Sequence, residues 1–259
     1  HLLLSDADAK IGDIMNENVI SIKTLMDQEE VAMVFQKYDF TSMPVVDNEN
    51  RLVGIITVDD VVDIMQEEAT EDIEKMAAIV PSDNPHMKTG VFEMWKKRIP
   101  WLLLLMISAT VTGGIILHYE EALGAYVVLT TFIPMLMGTG GNAGGQASVT
   151  VVRALSLQEI DFGDLLAIIW KEARVAVLCG TTLAAANFVK LMIIDKVSLS
   201  IAFVVCATLV LAVFFAKLVG CTLPMLAKKI GFDPAVMASP FITTIVDALS
   251  LMIYFQIAT

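Results

Sequence analysis

The sequence predicts an α-helical polytopic membrane domain of five spans, the second of them broken, preceded by a small α/β module and a connecting amphipathic helix. Three observations predict it. The 259 residues are 56% hydrophobic, with a mean hydropathy of +0.70, too apolar for one soluble domain. Charge is split along the chain: residues 1–98 carry 20 acids against 9 bases, and residues 99–259 carry 9 against 8. An acidic, water-facing part therefore precedes a membrane part. Beyond residue 98, successive apolar stretches approach or exceed the ~20 residues that cross a hydrocarbon core. The expected division is 1–68 for the module, 69–98 for the connection and 99–259 for the membrane domain. The acidic balance argues against nucleic acid as a partner, because that needs basic patches, and favours divalent cations, which bind carboxylate oxygens. Cys179, Cys206 and Cys221 stand far apart in apolar stretches, with neither a zinc nor a disulfide pattern.

In the module, residues 19–23 alternate as a short strand. Asp27, ahead of Gln28-Glu29-Glu30 and the apolar series Val31, Val34 and Phe35, predicts a capped helix to about Tyr38. Residues 43–46 and 52–57 flank a polar turn and predict a hairpin, and a second helix opens at Asp59. Met43-Pro-Val-Val-Asp47 and Gly54-Ile-Ile-Thr-Val-Asp-Asp60 resemble a CBS module covering residues 11–68. In nucleotide-binding modules of that kind, a Thr and an Asp in this pattern hold a ribose and a phosphate. The resemblance gives those roles, toward ATP, to Thr57 and Asp60. The alternative is that the two merely cap the following helix. Such modules work in pairs, so a single one predicts truncation or pairing with another chain.

Asp60, Asp63, Glu67, Glu68, Glu71 and Asp72 then recur at helical steps. Like charges so placed repel unless a cation or a basic partner sits between them; otherwise they form a solvated face. Residues 81–85 are a linker, and residues 86–98 an amphipathic helix at the membrane surface, basic at its end. The spans are expected at 99–117, 122–152, 175–194, 199–226 and 235–257. Lys96, Lys97, Arg98, Arg153, Lys171, Arg174, Lys228 and Lys229 flank one set of ends, and Lys190 and Lys196 the other. The positive-inside rule then places the module in the cytoplasm and the C-terminus outside the cell membrane. Lys217, within the fourth span, is expected to snorkel or pair.

Two stretches carry the chemistry. The run from Pro134 to Gln146 holds Gly138, Gly140, Gly141, Gly144 and Gly145 inside an apolar span. Glycine and proline are poor helix formers. A helix opened within a bilayer survives only in protein or beside water, so a break marks a permeation route. The plainer alternative is close packing through small residues spaced by four. Asn142 and Gln146, polar at that depth, favour the route. The second stretch centres on Asp247, the one acid well inside an expected span, with Thr243 on its helix face. It reads either as a helix–helix hydrogen bond or as a cation site. The donors on offer are oxygens, which disfavours zinc and copper and suits a largely hydrated Mg²⁺. One carboxylate half-balances a divalent ion, so a two-fold homodimer with two copies of Asp247 at its axis is expected.

The Pro134–Gln146 run followed by Arg153-Ala-Leu155, the block Pro240–Asp247 and Gly231-Phe-Asp-Pro-Ala235 are similar to the signature blocks of MgtE-type magnesium transporters. The resemblance implies a homodimeric Mg²⁺-selective channel of five spans per subunit. It puts Asp247 on the family's pore aspartate and Asn142 on the filter-like break. It also implies closure by cytosolic Mg²⁺ held between CBS module, connecting helix and membrane domain, through Asp60, Asp63, Glu68, Glu71, Asp72 and Asp233, with Asp27 and Glu29 at a contact between modules. Members carry an acidic helical domain and a first CBS module upstream of this point. A chain that starts at His1 without them is expected to be a piece of something longer. The competing readings are an ion-coupled transporter exchanging Mg²⁺ for Na⁺ or H⁺, and a membrane sensor without transport. An intramembrane enzyme is disfavoured, because no Ser/His, His/Glu or paired-Asp constellation lies within the spans.

Overall fold

The computed structural model describes residues 6, 8–16, 18–82, 84–119 and 127–258. It divides into two compact units, residues 1–69 and 70–259.

In the first unit the elements are α1 (Ile11–Ile14), β1 (Ile22–Lys23), α2 (Gln28–Tyr38), β2 (Ser42–Val46) and β3 (Leu52–Thr57), followed by α3 (Val58–Met76), which runs on into the second unit. The sheet order is β1-β2-β3. β1 lies parallel to β2 with Ile22 opposite Val45, and β2 antiparallel to β3 with Met43 opposite Ile56. Parallel neighbours need a crossover, and α2 supplies it. Its start is fixed by Asp27, whose side chain accepts from the Glu29 N–H at 2.9 Å. The hairpin turn is held by Asp47, which accepts from the backbone N–H groups of Glu49 and Arg51. Ile22, Val31, Phe35, Met43 and Val61 close the core. The strand expected at 19–23 shrinks to Ile22–Lys23, where β2 offers a ladder partner.

The second unit continues with α4 (Val91–His118), a 3₁₀ turn (Val127–Phe132), α5 (Ile133–Ser156), a 3₁₀ turn (Phe162–Asp164), and α6 (Leu165–Lys190) ending in a π turn (Leu191–Asp195). Then come α7 (Leu199–Lys229), a 3₁₀ turn (Pro234–Met237) and α8 (Ser239–Ala258). Among the described residues, four stretches are long and apolar enough to cross a membrane: Val91–His118, Phe162–Asp195, Leu199–Lys229 and Pro234–Ala258. Between α7 and α8 lies α5, and Leu136, Val205, Leu209, Val213, Ile242, Val246 and Leu251 form their shared core. Tyr254 donates to the Leu129 carbonyl at 3.0 Å and ties α8 to the turn ahead of α5.

Three boundaries differ from expectation. The glycine run is α-helical throughout, and the departure from α geometry lies upstream, at Val127–Phe132; residues 122–126 of the expected span lie outside the described residues. A helical glycine costs about 1 kcal/mol relative to alanine. Keeping every backbone bond inside the helix matters more in lipid, and the bare faces are used for packing. A Cβ on Gly220 would run into the Gly144 carbonyl, and one on Gly140 would meet Val246 Cγ1 at 3.0 Å. Second, α4 fuses the expected surface helix and the first span into 28 residues, with Pro100 inside. Third, α6 and the turn before it begin well ahead of residue 175. Asp161 accepts from the Gly163 N–H and Asp164 from the Asp161 N–H, a capping box that starts the helix there. Glu172 is thereby drawn into a candidate span.

Candidate functional site

The seam between α5 and α8 is thin on one side and polar on the other. Gly140 and Gly141 leave α5 without side chains where Thr243, Asp247 and Ser250 project from α8. A Cβ on Gly141 would lie 3.0 Å from Thr243 Cγ2 and 3.8 Å from Asp247 Oδ1. Thr243 and Thr244 both donate to the Pro240 carbonyl, at 2.9 and 3.1 Å, so their hydroxyls serve the helix. The Ser250 Oγ is buried and has no partner among the described residues. Asp247 is half-buried and forms no ion pair or hydrogen bond among the described residues. A carboxylate so placed costs roughly 2.5–3.5 kcal/mol on insertion scales.

Asn142, one residue beyond Gly141, is turned about 100° round the helix. It lines a different feature, a groove of about 690 Å³ shared with Gln146, Thr150, Glu172 and Lys217. There the Lys217 ammonium stands 3.6 Å from Glu172 Oε2, with side chains 6% and 15% exposed. The expectation that Lys217 pairs is met. Its partner, Glu172, lies ahead of residue 175, where the third span is expected to begin, and so outside that expectation. Asp161, Gly163 and Asp164 were the local signal for an earlier start.

The acids of the connecting helix gather around a lysine. Lys75 reaches Glu71 and Asp233, each at 2.5 Å, and Asp72 accepts from Ser156 Oγ at 3.2 Å. Asp233 arrives there because α7 ends in a tight glycine turn. Gly231 has φ +82°, and the N–H groups of Phe232 and Gly231 return to the Ala227 and Lys228 carbonyls. Asp233 then caps the next turn through the Ala235 N–H at 2.8 Å. Burial pushes the Asp72 carboxyl above its usual value, and the Asp233 charge adds to that. Burial opposes the charge on Lys75, but hydrogen bonds to Asp233 and Glu71 outweigh it and raise its pKa. Oxygen donors suit Mg²⁺, but here the basic partner that such a stripe requires is Lys75. Among the described residues no three His, Cys, Asp or Glu side chains are arranged as a metal cluster.

The module's own residues are spread more widely. Asp60 accepts from the Thr57 N–H at 2.9 Å and the Thr57 hydroxyl at 2.6 Å, which closes the start of α3; these bonds hold its carboxyl below the usual range. Glu68 accepts from Gln28, Asp63 is exposed, and Asp27 is engaged as a helix cap ahead of Glu29.

The family model described as a divalent cation transporter, MgtE, matches residues 133–257, and the CBS domain model matches residues 11–67. The magnesium transporter MgtE of Thermus thermophilus is 40% identical over 261 residues, covering 99% of this chain and 57% of the relative. That of Bacillus subtilis is 38% identical over 258 residues, covering 100% and 56%. That of Enterococcus faecalis is 37% identical over 261 residues, covering 100% and 56%. The chain thus spans a little over half the length of these relatives, which are named as transporters, not enzymes. With its apolar helices and these matches, the chain is a multi-pass membrane protein of the MgtE family, carrying a CBS domain.

Proposed function

We propose that the chain conducts Mg²⁺ across the cell membrane as part of a homodimeric channel, with two copies of Asp247 at a shared axis and Asn142 along the route. The observation that carries this reading is the unpaired Asp247, held mid-helix in a candidate span against the bare backbone of Gly141. A fixed acid that no lysine neutralises attracts a cation, and the hydroxyl and amide oxygens nearby suit a hydrated one. Counting α5 as a span gives five. The basic residues at one set of helix ends then put the module in the cytoplasm and the C-terminus outside. Cytosolic Mg²⁺ closes the channel by competing with Lys75 for Glu71, Asp72 and Asp233, and by bridging Asp60, Asp63 and Glu68 on α3, with Asp27 and Glu29 facing a second module. ATP is the proposed nucleotide at Thr57 and Asp60, and protection of the module from proteolysis by ATP tests it.

The test of transport is growth of an Mg²⁺-uptake-deficient cell at low Mg²⁺. Wild type rescues and Asp247→Ala does not. Equal rescue by both rejects the reading. Single-channel currents without a coupling ion separate a channel from exchange for Na⁺ or H⁺.

A further inference from the structure

We propose that the Glu172–Lys217 ion pair is a positioning device for the groove beside Asn142: Glu172 keeps the Lys217 ammonium out of the groove, so that amides rather than a lysine face an entering cation. This rests on the cation route proposed above. The groove of about 690 Å³ and a neighbouring cavity of about 520 Å³ share Asn142, Gln146 and Lys217 in their walls. Lys217 therefore stands at the partition between them. Its ammonium is 3.6 Å from Glu172 Oε2, and the rest of the side chain is buried. No hydrogen bond shorter than that ion pair engages Glu172 Oε2 among the described residues.

A lysine has a flexible four-carbon stem and a compact charge. If the Glu172 charge is removed, the ammonium must find other acceptors. Asn142 and Gln146, which line both the groove and the cavity and carry amide oxygens, are at hand. A lysine settled on them occupies the oxygens that a hydrated divalent ion would use, and repels that ion. Asp247, on α8, packs against the Gly141 face of α5 and has no lysine partner among the described residues, so the pair does not serve it directly.

The experiment places a reporter thiol at Thr150→Cys, which lines the same groove without removing either amide, in the full chain, with Cys179, Cys206 and Cys221 replaced by Ala. Reaction rates are measured with a cationic and a neutral thiol reagent of equal size, and Mg²⁺ uptake is measured in the same proteins. Glu172→Gln should lower the cationic-to-neutral rate ratio about tenfold, the order expected of a local field in a low-dielectric cleft, and should lower uptake similarly. Glu172→Gln with Lys217→Gln should restore both to near the parent, because the stranded charge is gone. A purely structural pair predicts instead that Glu172→Gln melts earlier and leaves the rate ratio unchanged, and that result overturns the proposal. So does a double variant as impaired as Glu172→Gln alone. If the rate ratio behaves as expected while the parent takes up no Mg²⁺, the placement of the lysine stands and the Mg²⁺ reading fails.

Discussion

Glu172 of α6 and Asp247 of α8, both inside candidate spans, are treated in opposite ways. Glu172 is held by Lys217 at 3.6 Å, across α6 and α7. Among the described residues Asp247 has no such counterpart, and it faces α5 where Gly140 and Gly141 strip that helix to backbone. A paired intramembrane acid is neutral to its surroundings, whereas a lone one is an unspent field. On the proposed reading, the difference teaches that acid content alone does not mark a candidate cation site at membrane depth, and that the absence of a basic neighbour does.

The largest effect should come from Asp247→Ala, with Mg²⁺ uptake falling by at least about a hundredfold, since a fixed charge in a narrow cleft concentrates counter-ions by up to ~10³. Isotope or fluorescent-dye flux in vesicles measures it. Uptake that falls equally in Asp247→Ala and in the Glu172→Gln, Lys217→Gln double variant would break the contrast between lone and paired acids. Next is Gly220→Val, whose side chain must displace the Gly144 carbonyl. Overpacking of this kind costs about 1–3 kcal/mol or more, seen as a lower melting temperature in detergent. Gly138→Ala, which meets nothing within 4 Å, should be neutral or stabilising by up to ~1 kcal/mol. Lys75→Met frees Glu71 and Asp233 for a cation, and should lower several-fold the Mg²⁺ concentration that protects the connecting helix from protease. The smallest effect is one of pH. The Asp72 carboxyl is raised by burial first and by Asp233 second, so the folded state holds its proton more tightly than the unfolded chain. Its stabilising share is full below the unfolded value and is lost as pH rises through the folded one. Asp72→Asn should therefore melt a degree or two higher than wild type at neutral pH, the gap closing toward about pH 4.

What the sequence made legible was local. Asp27 ahead of Val31, Val34 and Phe35 marked α2, because a cap and an apolar stripe are nearby signals. Residues 43–46 and 52–57 marked the hairpin, because strand alternation and a polar turn are too. Apolar stretches marked α4, α6, α7 and α8 by length alone. The state of the Gly138–Gly145 run was not local. Glycine's weak propensity argued for a break, and tertiary contact with α7 and α8 decided for a helix. Nor could the role of Lys75 be read, because its partner Asp233 lies 158 residues away. Asp247 stood out as an acid in an apolar stretch, but its lack of a partner became visible only in three dimensions.

The Gly144–Gly220 contact has a mechanical consequence. Where two main chains press together with no side chains between them, nothing soft remains to be compressed, and Lys228 clips the far end of α5 by donating to the Leu155 carbonyl at 2.9 Å. These two helices must slide as one rigid strut. Under the proposed ion route, any widening has to be borne along the edges of that strut, by α8 on one side or by the slack beside Asn142 on the other.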